Sequence, residues 1–292
     1  MTAQPQLSQE DIALCRAIMK KHGVSYAFAT RFFPEQKRDA TAVLYAFFRT
    51  PDDIVDVGTD NREDKLRRLS EWRSCWHEHV RGERDDTPVL RAAATVFAQF
   101  NIPSDYGDAF LAAMEQDLSV SSYAAYADLE GYMYGSAAVV GLMMSHIIGF
   151  SDPAALSHAK ALGEAMQLTN FLRDIREDLE TRGRVYLPVE DLERFGVTND
   201  HLRSNTVSPE FRELMRFEIA RARQLYDAAN RGIHYLDADG QFAVRLASAL
   251  YAAILDKIEA ADYDVFTSRR RTGRLEKLWL TLHVWKAQKR GL

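Results

Sequence analysis

A chain of 292 residues, 47% of them hydrophobic, is long enough to bury a sizeable core, and length alone allows one large domain or two smaller ones. Its 15 glycines and 8 prolines are too few for a disordered or fibrous protein, and a net charge of −5 argues against a nucleic-acid binder, which carries a basic face. The 2 cysteines, Cys15 and Cys75, build neither a disulfide nor a zinc framework and suit a reducing compartment.

In chain order, MTAQPQLSQEDIAL has acids where a signal peptide needs a basic region and lacks an apolar stretch. A cytoplasmic location is therefore expected, with residues 1–8 disordered. LSQEDIALCRAIMKKH then repeats apolar residues at helical spacing. So do DKLRRLSEWRSCWHEHV, VLRAAATVFAQF, AALSHAKALGEAMQLTNFLRDI, PEFRELMRFEIARARQLYDAANRGI and FAVRLASALYAAILDKIEAA. The long segments lack strand alternation, so the reading is all-α. Pro34, Pro88, Pro103, Pro153, Pro188 and Pro209 fall where these helices would start or stop. No low-complexity tract or polar linker divides the chain, which predicts one domain, residues 1–292, of about a dozen helices.

YAFFRTPDDIVD, residues 45–56, breaks the proline pattern. Either Thr50 is an N-cap with Pro51 as first helical residue and Asp52 and Asp53 as first-turn acids, or the acids form a metal site. Pro51 removes an N–H and crowds the Phe47 carbonyl, so the helix is expected to kink there or begin anew. In both cases Asp52, Asp53 and Asp56 share a face, while the placement of Tyr45 and Arg49 depends on the kink. Further on, CWHEH (Cys75, His77, His79) has no second ligand cluster to answer it and reads as a solvated helix face. GYMYGSAAVVGLMMSHIIGFS, residues 131–151, contains no Asp, Glu, Lys or Arg and is long enough to span a bilayer. Its glycines, tyrosines, serines and histidine suit instead a buried helix lining an apolar cavity.

The second acidic stretch is QLTNFLRDIREDLE, where Gln167, Asn170, Asp174 and Asp178 step by three, four and four along one helical face. Like charges at this spacing cost a helix roughly 0.2–0.5 kcal/mol per pair, so two such rows among apolar residues point to an external cation. Carboxylate and amide oxygens suit a hard divalent ion, and Mg2+ with a diphosphate is the natural pairing. Arg49, Arg173 and Arg184 offer guanidinium forks to diphosphate oxygens or to the neighbouring carboxylates, two roles that are compatible. The C-terminal SRRRTGRLEKLWLTLHVWKAQKRGL, residues 268–292, sets eight basic residues against Glu276. Leu275, Leu278, Trp279, Leu282 and Trp285 form a stripe on it. The default is a terminal helix packing that stripe on the core; the alternative is a basic amphipathic helix lying on an anionic membrane.

HGVSYAFATRFFP (22–34), YAFFRTPDDIVD, AMEQDLS (113–119), GYMYGSAAVVG (131–141) and LGEAMQLTNFLRDIREDLETRGRVYLP (162–188) together resemble the squalene and phytoene synthase family of head-to-head prenyl synthases, from Cys15 to Leu278. The resemblance implies an all-α isoprenoid-synthase fold with a central apolar cavity. Two acid rows would face each other there across two or three Mg2+ ions, with Mn2+ as the alternative. Asp52 and Asp56 match the first acidic motif, and Asn170, Asp174 and Asp178 the second. Ser25, Tyr26, Arg49, Arg184 and Tyr186 match positions that hold diphosphate, and Tyr45, Tyr132, Gln167 and Tyr251 match those lining the reacting centre. Among Arg269, Arg270 and Arg271, Arg269 is taken as the family's late phosphate contact. Pro51 departs from the family's pattern.

The reaction implied is condensation of two geranylgeranyl diphosphates through a cyclopropyl diphosphate to phytoene, without nicotinamide. Farnesyl diphosphate going to dehydrosqualene or squalene is the alternative, and a non-catalytic assembly factor on the same fold a remote one, since such relatives generally lose acids that are kept here. Tyr45, Tyr132, Tyr134 and Phe171 are candidates to face the carbocations, at about 0.5–2 kcal/mol each. Released diphosphate or a tyrosine would take the final proton. The expected partners are prenyl diphosphates and, peripherally, a membrane, with no nucleic acid.

Overall fold

The computed structural model describes residues 7–58 and 60–290, with the side chains of Val24 and Ser25 outside the described set. Of the segment 1–8, residues 1–6 also lie outside it, whereas Ser8 is ordered as a cap. Its hydroxyl accepts the Asp11 N–H at 3.0 Å and opens α1 (Gln9–His22). Short α2 (Val24–Ala29) leads to α3 (Glu35–Asp56), α4 (Arg62–Val80), α5 (Pro88–Gln99) and α6 (Ser104–Gln116). Next come α7 (Tyr126–Met133), α8 (Val139–Ile148), α9 (Ala154–Glu177), α10 (Val189–Arg194) and α11 (Asn199–Arg203). The chain closes with α12 (Pro209–Arg231), α13 (Ala238–Ala260) and α14 (Arg274–Lys289). Among the described residues only two isolated β-bridges occur, Ser122 with Val185 and Phe150 with Leu236. The fold is all-α.

All six boundary prolines sit at helix starts: Pro34, Pro103, Pro153 and Pro188 as caps, and Pro88 and Pro209 inside the first turn. Pro51 behaves differently from both expectations of a new start. Helix α3 runs continuously through it, and Thr50 is no N-cap, because its hydroxyl donates backwards to the Ala46 carbonyl at 3.1 Å. An interior proline costs about 3 kcal/mol. Burial of Val43, Leu44, Phe47, Ile54 and Val55 on both sides of it outweighs that cost and keeps Tyr45, Arg49 and the acids on one helix.

The apolar segment from Tyr126 to Ile148 is one long helix in which α7 passes through a π-turn (Tyr134–Ala138) into α8. It crosses α9 at backbone contact distance. A Cβ on Gly141 would strike the Ala159 carbonyl and one on Gly163 the Ala137 carbonyl, so only glycine fits at either position. The segment is long and apolar enough to cross a membrane, but Tyr132, Ala137, Val140, Gly141 and Met144 line an internal cavity, as the cavity reading expected. A second π-turn (Asp178–Arg182) extends α9. Beyond it the Val185 N–H donates to Ser121 O at 2.8 Å and Val189 N–H to Tyr123 O at 2.9 Å, which pins the loop carrying Arg184 and Tyr186 against the connection between α6 and α7.

Two helix faces correct the sequence reading. His79 is buried, with Nδ1 donating to the Cys75 carbonyl at 2.7 Å, while His77 pairs with Asp108 at 2.6 Å, so CWHEH is not wholly a solvated face. On α14 the default packing is inverted. Lys277, Leu280 and Val284 face inward, the two apolar ones joining Leu246, Leu250 and Ala253 of α13, and the stripe with both tryptophans faces out.

Candidate active site

Helices α3, α6, the α7–α8 helix, α9 and α13 surround a cavity of about 910 Å³. That is at the upper end of the roughly 300–1,000 Å³ usual for ligand pockets. Phe48, Phe110, Met144, Leu162, Met166 and Ile254 supply apolar wall. The same cavity is lined by Tyr26, Tyr45, Arg49, Asp52, Asp56, Tyr132, Gln167, Asn170, Arg173, Asp174, Asp178, Arg184, Tyr186, Tyr251 and Arg269. Each site residue expected from the sequence therefore reaches it except Ser25, whose side chain lies outside the described residues. Tyr134 is corrected: it is exposed and is not among the lining residues, because the π-turn it begins directs it outward.

The polar lining is densely paired. On α3, Arg49 pairs with Asp52 at 2.9 Å and with Asp53 one residue further. Arg182 then joins the two acid rows, reaching Asp56 at 2.9 Å and Asp178 at 2.6 Å. Arg173 binds Asp174 through two nitrogens at 2.8 and 2.5 Å, and Arg269 meets the same carboxylate at 2.6 Å and Glu177 at 3.1 Å. Asn170 donates to Gln167 at 3.2 Å. Arg270 turns away to the Asp264 carbonyl at 2.8 Å.

Sequence reasoning missed Arg182 and Asp117. Arg182 stands four residues after Asp178, a spacing that marks a helical ion pair, but its second partner on α3 is a tertiary fact. Asp117 lies within AMEQDLS and is nearly buried. It accepts the Tyr132 hydroxyl at 2.8 Å and the Tyr186 hydroxyl at 3.0 Å, with Arg184 at 3.6 Å. Arg184 also stands 3.5 Å from Asp56, so Asp117 and Tyr186 hold it against the first acid row. Above this polar base the rings stack: Phe171 on Tyr186 at 4.1 Å and 8°, with Tyr132 at 5.7 Å from Tyr186. Tyr26 and Tyr45 form a second pair at 5.8 Å.

Enclosure decides the electrostatics. The Asp52 carboxyl is pushed up to about 6, first by loss of solvent and then by Asp56. Its side chain is 40% exposed, but that surface opens into the cavity. Burial pushes Asp178 up to about 7 although Arg182 pulls it down. Asp117 is raised for the same reason, and the phenols of Tyr132 and Tyr186 are held above their ordinary range.

Among the described residues no three His, Cys, Asp or Glu side chains stand together closely enough to hold a metal ion. The arginines neutralise the rows instead. The donor chemistry nonetheless fits a hard divalent cation: two rows of oxygen donors line one cavity, and two of the acids are held uncomfortably protonation-prone by enclosure, a penalty that a cation relieves. With a diphosphate present, the same arginines have a second set of oxygens to bind.

Comparison with known proteins gives a consistent picture. A profile of the family described as squalene/phytoene synthase matches residues 19–276. A 15-cis-phytoene synthase of Synechocystis sp. is 34% identical over an alignment covering 97% of this chain and 87% of that protein. A phytoene synthase of Arthrospira platensis is 34% identical, covering 91% of this chain and 89% of its own. Among solved structures, a dehydrosqualene synthase in complex with ligand superposes with a TM-score of 0.89 at 30% identity, covering 96% of this chain and 97% of its own. Squalene synthase HpnC from Alicyclobacillus acidocaldarius follows at 0.80 and 27%, covering 87% and 95%.

Proposed function

This chain belongs to the squalene/phytoene synthase family, and from that premise we propose that it is a prenyltransferase joining two geranylgeranyl diphosphates head to head to give phytoene. The observation that carries the reading is the meeting of both acid rows with Arg49, Arg173, Arg184 and Arg269 on the wall of one large apolar cavity. Family membership supports head-to-head condensation of prenyl diphosphates; the phytoene synthases matched at 34% identity support the longer substrate.

The guanidinium forks bind and orient the two diphosphates, and their fixed charge is worth most where water is excluded. Mg2+, held by Asp52 and Asp56 on one row and Asn170, Asp174 and Asp178 on the other, would act as a Lewis acid on the departing diphosphate. When the first C–O bond breaks, the electron pair leaves with the diphosphate. The double bond of the second chain attacks the cation and loses a proton, closing a cyclopropane. A second ionisation, rearrangement and proton loss follow, so two diphosphates and two protons leave for each hydrocarbon. The rings of Tyr45, Tyr132 and Phe171 line the space these cations occupy, and the apolar walls keep water from them.

The tyrosines are poor candidates for the final base. Tyr132 and Tyr186 already direct their protons at Asp117, and burial keeps both phenols protonated. Released diphosphate takes the proton instead.

A second reading, dehydrosqualene from farnesyl diphosphate, is favoured by the 0.89 TM-score to a dehydrosqualene synthase. Purified protein incubated with Mg2+ and either geranylgeranyl or farnesyl diphosphate, without nicotinamide, separates the two by the mass of the extracted hydrocarbon. A C40 product is expected. A C30 product alone supports the second reading, and no hydrocarbon from either substrate overturns both.

A further inference from the structure

Helix α14 carries an apolar face that no part of the described chain covers. Leu275 is 84% exposed and Trp279 61%, and Leu278, Leu282 and Trp285 are exposed beside them, all on one helical stripe. The opposite face is the one packed on α13. A monomer surface scatters single apolar residues, whereas a continuous stripe of this kind with two tryptophans marks a contact.

Its surroundings identify the occupant. Arg274, Lys286, Lys289 and Arg290 are exposed on the same helix or at its end, and Lys289 lies 4.0 Å over the Trp285 ring. The helix's one acid, Glu276, is engaged by Lys257 at 2.9 Å. The surface therefore combines apolar residues, interfacial tryptophans and uncompensated positive charge, which complements an anionic bilayer. A second copy of this chain fits poorly, since two-fold pairing through this face sets the basic groups against themselves. Arg271, Thr272 and Lys277, at the start of the same segment, line the cavity.

We propose that the outward face of α14 docks this protein on anionic lipid, which brings the cavity-lining Arg271 and Thr272 at the start of that segment close to the bilayer. The placement rests on the prenyltransferase reading only for its purpose, delivery of lipid substrate and removal of lipid product; the docking itself does not depend on that reading.

The test is flotation of the full chain with vesicles of mixed phosphatidylglycerol and phosphatidylcholine, against phosphatidylcholine alone, with no substrate present. Binding to the anionic vesicles is expected, weakened by salt because the basic groups are exposed. The double variant Trp279→Ser/Trp285→Ser should reduce the bound fraction at least tenfold while keeping its thermal melting midpoint. Lys286→Glu/Lys289→Glu should reduce it more at low salt than at high salt. Wild-type protein that stays with the soluble fraction, or a double tryptophan variant that floats like wild type, overturns the proposal. So does wild-type dimerisation in light scattering that the tryptophan substitutions abolish, if no vesicle binding accompanies it. Because the readout is binding, a catalytically inert chain that floats leaves the docking intact, and an active chain that does not float removes it alone.

Discussion

The two acid rows look alike in sequence and differ in how the fold neutralises them. On α3 the outer acids are neutralised locally, with Arg49 reaching Asp52 and Asp53 within one helical turn and both side chains about 40% exposed, whereas Asp56, 18% exposed, depends on Arg182 and Arg184. On α9, Asp174 and Asp178 are each only 9% exposed and are served by Arg173 beside them, Arg182 at the end of the π-turn and Arg269 from 95 residues downstream. Asp52 is thus held within its own helix, while Asp174 is buried and draws also on an arginine from a distant segment. Both present oxygen donors to the same cavity, but Asp174 is the more tightly tied to the integrity of the fold.

That difference is open to direct attack. The largest effect is expected from Asp174→Ala, which leaves Arg173 buried without its partner and should lower unfolding stability by about 3–5 kcal/mol, read from urea denaturation. Asp52→Ala should change stability by no more than about 1 kcal/mol, because its pairing with Arg49 is offset by the solvent the carboxyl loses in the cavity. Equal losses for the two variants would erase the distinction. In turnover the rows should converge, with Asp52→Asn and Asp178→Asn each lowering kcat by about 10²–10³-fold, the loss typical of one electrostatic contact to a transition state.

The pH response sharpens the comparison further. Asp52 and Asp178 are both raised above the ordinary 3.8, to about 6 and about 7, so the folded chain holds protons there that the unfolded chain has released. Stability from these groups is therefore present at low pH and lost as pH climbs from about 4 through about 6 and 7, the reverse of a carboxylate stabilised by pairing. Thermal melts of the protein without added divalent ions should show that decline, while cation-dependent turnover should rise over the same window as the acids ionise. Arg182 lowers both carboxyls, so Arg182→Gln should move the acid limb of the pH–rate profile upward. A limb that stays in place removes Arg182 from the electrostatics of the rows.

The smallest effect belongs to Tyr132→Phe. It deletes one hydrogen bond to Asp117, worth about 0.5–1.5 kcal/mol, while Tyr186 keeps the other, so turnover should fall less than about tenfold. A collapse of turnover would restore the phenol as a base.

What could be read from the sequence follows the same division between local and tertiary causes. Helix positions came from apolar periodicity and six boundary prolines, and both acid rows from spacings of three and four, because these signals are local. Of the two outcomes expected at Pro51, a kink or a new helix, the new start does not occur, because the burial of Phe47 and Val55 around it keeps α3 continuous. Asp117 gave one carboxylate and no pattern, since its partners are 15 and 69 residues away. The α14 stripe was visible, but an amphipathic pattern does not say which of two faces meets the core. Arg182 was hidden because a π-turn, which periodicity does not announce, carries it between the rows.

The central claim is that two facing rows act together on a divalent ion and a diphosphate. It is tested most directly by equilibrium dialysis of Mn2+ with and without inorganic diphosphate, for the wild-type chain and for Asp52→Asn and Asp174→Asn. The account predicts diphosphate-dependent Mn2+ uptake by the wild type that either substitution sharply weakens. Uptake unchanged after one row is neutralised would contradict it, because that row would then be only a paired surface of the cavity.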